Sequence, residues 1–409
     1  MTPFRHVPPA HSPLPARALA AGLRAALGAH DASLRAAELV ERDWGARDVL
    51  LAGSGTAALA LALRAAAASR PGAPAALPAY GCYDLATAAD GADLPVVLYD
   101  VDPETLAPDP ASFDRALAAD PCAVVVVHHC GVPVDVERLA GRVADAGALL
   151  VEDAAQAVGA RIGERAAGSL GPVAVLSFGR GKGLTGGAGG ALLAHDGAGE
   201  AVVRRARLHV SGTRSGWREL AGAAAQWALA RPSLYALPAA LPFLRLGDTV
   251  YRAPEPPEPL SRAAAAILAA GWEESLHEAA VRRRNAGRLQ WALAAAGARV
   301  PRPPANATAG FLRLPVLADG EAGRARAASP GARRLGIMPG YPRALCDLEG
   351  FRARVANADD GFPGARRLAE ALFTLPTHSH LAEADLRRLE AWIAGERAAP
   401  LVAGRSAPA

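Results

Sequence analysis

Lys182 is the only lysine in a chain of 409 residues; all the other basic residues among the 44 are arginine. It stands in "SFGRGKGLTGGAGG", residues 177–190. Arginine serves wherever only a positive charge is needed, but a guanidinium is not a usable nucleophile. A position that needs a primary amine keeps lysine, because a lysine amine condenses with an aldehyde to form a Schiff base. The competing reading is a surface lysine that survived by chance, so the neighbouring residues must decide.

Three further stretches carry residue types that would work with that amine. In "AGSGTAAL", small residues join an apolar run to a helical pattern. Backbone N–H groups at a helix start hold an anion, and Thr56 adds a hydroxyl. The same Ser-Gly-Thr is also an ordinary helix cap. In "LLVEDAAQAVGA", Asp153 ends an apolar run and reads either as a helix cap or as a carboxylate facing a cationic ring nitrogen. A charge taken out of water needs such a partner, and the pair keeps the nitrogen protonated. Gln156, three residues on, reaches the same ligand. In "VLSFGRGK", Ser177 ends a run and offers a hydroxyl to a phosphate. Together Thr56, Asp153, Ser177 and Lys182 supply a phosphate nest, a pyridinium partner and an aldehyde partner. Those are the requirements of pyridoxal 5′-phosphate (PLP), an electron sink that the protein holds by a lysine and an acid.

These residues need one sheet edge to bring them together. Between residues 48 and 195 short apolar runs ("DVLLAG", "AALPAY", "LPVVLYDV", "CAVVVVHH", "GALLVED", "VAVLSFG", "GALLAH") alternate with helical patterns. Such runs predict a mostly parallel, seven-stranded sheet covered on both faces, an α/β architecture. Ligands of open α/β sheets bind beyond the carboxyl ends of the strands, where all four residues fall. A long helical pattern over 275–297 leads into a smaller α+β unit. The expected division is a large domain over 1–270, with an N-terminal helical segment and an apolar insertion near 213–262. A small C-terminal domain over 271–409 ends in a frayed tail.

Composition excludes several classes. A net charge of +4 with interspersed acids and arginines offers no basic block for nucleic acid. The cysteines Cys82, Cys122, Cys130 and Cys346 form no CxxC pair, so neither a disulfide framework nor a metal site is expected. Prolines interrupt the N-terminus where a signal peptide needs an apolar run, so the expected location is cytoplasmic. The apolar stretch 220–244 is divided by Arg231-Pro232 into pieces too short to span a bilayer. It reads as a buried helical hairpin or a subunit contact, with no membrane partner expected.

The chain resembles the DegT/DnrJ/StrS aminotransferases, which have the aspartate-aminotransferase type of PLP fold (fold type I). The resemblance rests on "GSGTAALALAL", "DVDPETLAPD", "VVVVHHCGVPVDVERLAGRVADAGALLVEDAAQAVGA" and the lysine motif "SFGRGKGLTGGAGG", with weaker matches at "GIMPGYP" and "LPTHSHL". It implies transfer of an amino group from glutamate or glutamine to a keto-sugar nucleotide or related biosynthetic intermediate. It also implies a homodimer with shared active sites. Lys182 would carry the Schiff base and move the proton, and Asp153 would pair with the pyridine nitrogen. Gly55, Thr56 and Ser177 would hold the phosphate, Gln156 would contact the ring, and Tyr80 or Tyr83 would stack on it. His128 would support the cofactor from behind. The chain departs from the family where Gly183 follows the lysine in place of asparagine and where Ala188 replaces an acid. Neither the N-terminal glycine/threonine stretch nor the Asn-Tyr-Arg cluster after Gly212 is recognisable. Other PLP chemistry, such as that of a lyase or dehydratase, and a non-catalytic regulatory protein of the same fold are the alternatives.

Overall fold

Strands form where valine, leucine and alanine run without a polar interruption. In β4 (Ala123–Val127) all five residues are buried, as a central strand covered on both faces requires. The structure, a computed structural model, describes residues 5–241 and 249–395. The other strands of its main sheet are β1 (Asp48–Ala52), β2 (Ala75–Pro78), β3 (Val96–Tyr99), β5 (Leu149–Asp153), β8 (Val173–Ser177) and β9 (Gly190–Ala194). Between β5 and β8 lie two short strands, β6 (Arg161–Ile162) and β7 (Arg165–Ala166). The seven-stranded order is β1-β9-β8-β5-β4-β2-β3. Only β9 runs against its neighbours, β1 and β8. The carboxyl ends of the other six therefore share one edge, as expected from the apolar runs.

Helices cover both faces. They are α1 (Ala16–Ala26), α2 (Ser33–Trp44), α3 (Gly55–Ala67), α4 (Asp84–Gly91), α5 (Pro110–Ala118), α6 (Glu137–Asp145), α7 (Gly197–Arg207) and α10 (Arg262–Ala270). Helix α3 matters most for the site. Its alanines and leucines carry no β-branch, and the Ser54 side chain caps it by accepting the Ala57 N–H at 3.0 Å. Leu59, Leu61 and Leu63 are buried between the sheet and the neighbouring helices, each worth about 2 kcal/mol. That packing fixes the helix N-terminus at the carboxyl edge.

Between α7 and α10 the chain forms α8 (Trp217–Leu229) and the short α9 (Ala236–Ala239). The buried hairpin expected here does not form. Only Ala223 of α8 is buried, while Trp217 and Trp227 remain exposed. The helix lies on α1 and α10 by one small-residue face. Residues 242–244 of the apolar stretch fall outside the described residues, as does the C-terminal tail from 396. No described helix is long and apolar enough to cross a membrane.

Gly271 separates α10 from α11 (Trp272–Ala295), the long helix expected from the sequence. Beyond it β10 (Ala307–Thr308) joins β6 and β7 in a small sheet, and β11 (Leu314–Leu317), β12 (Met338–Pro339) and β13 (Leu372–Leu375) form another. Helices α12 (Gly320–Ala327), α13 (Pro330–Arg334), α14 (Pro363–Ala371) and α15 (Glu383–Ile393) complete this unit.

Candidate active site

Side chains alternate across a strand, so neighbours in sequence face opposite ways. The register pairs Val127 with Asp153 and Asp153 with Val175, and pairs Val126 with Glu152 and Glu152 with Ala174. Val127, Asp153 and Val175 thus share one face, and Ser177, two residues after Val175, joins them. These four line one slot with Gly55, Thr56, Cys82, Gln156 and Lys182. The slot has a volume of about 40 Å³. It adjoins, at Thr56 and Asp84, a larger cavity of about 660 Å³. Arg180, Arg214, Arg218 and Arg252 stand in the wall of that cavity.

Asp153 has the environment of an acid awaiting a cation. Burial pushes its carboxyl up from the usual range, and the Ala155 amide and the charge of Lys182 pull it back. It accepts the Ala155 N–H at 3.0 Å and has no ion-pair partner among the described residues. Its remaining exposure is to the slot. A buried carboxylate left so is costly, and a protonated ring nitrogen would satisfy it. At the other end, the start of α3 presents first-turn N–H groups beside the Thr56 and Ser177 hydroxyls. A Cβ on Gly55 would meet Ser177 Cβ at 2.9 Å and Oγ at 3.1 Å, so only glycine lets the hydroxyl come this close. Carboxylate, amine, hydroxyls and helix N-terminus together fit PLP.

Gln156 is held from both ends. Its Oε1 accepts the Cys130 N–H at 3.1 Å, and its Nε2 donates to the Tyr341 hydroxyl at 2.9 Å. Tyr341 belongs to the weakly matching "GIMPGYP" and links the small unit to the slot. Gly183 is explained by packing: a Cβ there would lie 2.3 Å from Cβ of the buried Val158. No larger residue fits after the lysine.

Three expected residues stand elsewhere. His128 does not line the slot. Its Nδ1 accepts the Val134 N–H at 2.9 Å, so Nε2 carries the proton and donates to Glu152 at 2.7 Å. Both side chains are fully buried on the far face of the sheet. Burial works against the charge on Glu152, but His128 and the Gly168 and Leu170 amides outweigh it and hold the carboxyl below its usual range. Tyr80 and Tyr83 are also absent from the lining. The Tyr80 hydroxyl accepts the Tyr341 N–H at 3.0 Å, and both rings are buried beside Tyr341. The turn sends Cys82 into the slot instead.

The sequence also gave no sign of what the N-terminal segment does. Residues 5–15 cross from the small unit to the lysine loop. The Pro8 carbonyl accepts from His378 Nε2 at 2.7 Å, and the His11 carbonyl accepts from Arg282 Nη2 at 2.6 Å. Ser12 Oγ then donates to the Lys182 carbonyl at 2.8 Å. The prolines of this stretch suit an extended strap, which is the one signal that could have found it.

The comparisons with known proteins agree with this geometry. A model of the DegT/DnrJ/EryC1/StrS aminotransferase family matches residues 36–241. An L-glutamine:2-deoxy-scyllo-inosose aminotransferase of Micromonospora echinospora is 37% identical over 145 residues, 36% of this chain and 34% of that one. A pleiotropic regulatory protein of Geobacillus stearothermophilus is 33% identical over 160 residues, 39% of this chain and 43% of that one. The matched stretches thus span less than half of these relatives' length. The solved structure of the aminotransferase TlmJ from Streptoalloteichus hindustanus superposes with a TM-score of 0.75 at 25% identity, covering 95% of this chain and 98% of that one.

Proposed function

The chain belongs to the DegT/DnrJ/EryC1/StrS aminotransferase family, and from that premise we propose that it is a PLP-dependent aminotransferase. The observation that carries this reading is the half-buried Asp153 carboxylate, without an ion-pair partner among the described residues, in one slot with the chain's sole lysine. PLP bound there would supply an electron sink next to the substrate carbon. Asp153 would keep the ring nitrogen protonated. Lys182 would hold the cofactor by its amine and would carry a proton at the substrate carbon. Thr56, Ser177 and the N–H groups starting at Gly55 bind the phosphate, and Gln156, fixed by Cys130 and Tyr341, borders the ring.

The acceptor is the ketone of a sugar, sugar nucleotide or cyclitol, and the donor is glutamine or glutamate. The names of relatives support that class. The larger cavity next to Thr56 and Asp84 provides room for such a substrate. The exposed apolar face of α8 supports assembly as a homodimer. We place the boundary between the two units at Gly271.

A second reading, a regulatory protein of this fold, takes its support from the regulatory relative. One experiment separates the two. The PLP-loaded protein is incubated with L-glutamine or L-glutamate without an acceptor. The proposal requires release of one equivalent of the 2-oxo acid per chain. No 2-oxo acid from any amino donor refutes it.

A further inference from the structure

Among the described residues no aromatic side chain lines the slot. The turn after β2 brings Cys82 there, with Leu85 and Leu59 beside it. Of the four cysteines, Cys122, Cys130 and Cys346 are buried, and Cys82 alone keeps partial exposure. That exposure opens on the slot. Asp84 and Lys182 line the same slot as its thiol.

We propose that the Cys82 sulfur is the protein's contact on one face of the cofactor ring, the place for which the sequence suggests Tyr80 or Tyr83. The inference rests on the PLP reading of the slot. Sulfur is polarisable and makes favourable contacts with aromatic rings. Burial pushes the thiol up to about 12, so it stays neutral. It therefore adds no further negative charge to those of Asp153 and Asp84, which already line the slot. A thiol also occupies much less space than a tyrosine ring, and leaves that face of the ring open toward Asp84 and the larger cavity.

The test compares PLP-loaded protein with the same protein stripped by hydroxylamine, each treated with N-ethylmaleimide and digested for mass spectrometry. In the stripped protein Cys82 is the first thiol to be labelled. Loading should slow its labelling by about tenfold or more, because the thiolate that reacts needs access. Cys82→Ser should weaken PLP binding by about two- to tenfold, the range expected for a lost sulfur–ring contact. Tyr83→Phe should leave PLP affinity unchanged. Equal labelling of Cys82 in loaded and stripped protein overturns the inference. So does weakened binding in Tyr83→Phe with none in Cys82→Ser. Those failures leave the PLP site standing, since the loaded protein still shows its visible absorbance. Absence of any visible band on adding PLP overturns both the site and this inference.

Discussion

Replacing Glu152 by glutamine should destabilise the fold severely without touching the slot. The carboxylate is fully buried and accepts four hydrogen bonds. His128 Nε2 and the Gly168 N–H donate to Oε1; the Leu170 and Gly171 N–H groups donate to Oε2 at 2.8 and 3.1 Å. An amide offers one oxygen, so two donors lose their acceptor and face a new NH₂ group. Each buried group left unsatisfied costs about 1–3 kcal/mol. With the loss of charge assistance, Glu152→Gln should cost about 3–5 kcal/mol, a large share of the ~5–15 kcal/mol typical of a fold. Urea unfolding at pH 7 reads this as a lower midpoint. The pH dependence has a definite sign. The folded carboxyl lies below its ordinary value of 4.5, so its contribution is complete above that pH and lost as pH falls through the folded value. The gap between wild type and variant should therefore narrow under acid. A midpoint shift equivalent to less than about 1 kcal/mol at pH 7, smaller than a single unsatisfied buried donor, would refute the reasoning.

Other substitutions probe the slot itself. Gly183→Ala pushes a Cβ against Val158 and displaces Lys182; cofactor attachment, followed by absorbance, should slow on the order of 100-fold, the cost of a misplaced reacting group. Gly55→Ala drives Ser177 from the phosphate. It should weaken PLP about tenfold, the loss of a charge-assisted hydrogen bond, while leaving the binding of unphosphorylated pyridoxal unchanged. Ser12→Ala removes the strap's bond to the Lys182 carbonyl, worth about 1 kcal/mol. Attachment should slow roughly fivefold with little change in melting temperature, and Ser12→Thr should restore it.

The sheet was legible because its strands are built on short apolar runs, and a parallel α/β sheet places ligand groups at strand ends. Asp153, Ser177, Thr56 and Lys182 could be collected on that rule alone. The rule does not say which way a residue past a strand end turns. His128 follows Val127, yet its imidazole goes to Glu152 on the far face. In the turn after β2 any of four residues could enter the slot; Tyr80 and Tyr83 pack beside Tyr341, and Cys82 lines the slot. Long-range contacts were likewise invisible. Gly183 is dictated by Val158, 25 residues earlier, and the Ser12 contact to Lys182 joins two stretches with no shared pattern. Of the two readings of the apolar stretch, a buried hairpin or a subunit contact, the exposure of α8 removes the first, because apolar composition alone does not separate a buried face from an exposed one.

The identity of the attaching amine tests the account most directly. The PLP-treated protein is reduced with borohydride, digested and weighed. The account predicts one phosphopyridoxyl adduct, on the peptide that contains Lys182, and none in a folded Lys182→Arg variant. An adduct that persists in Lys182→Arg, or that maps to the N-terminal amine in the wild type, would contradict it.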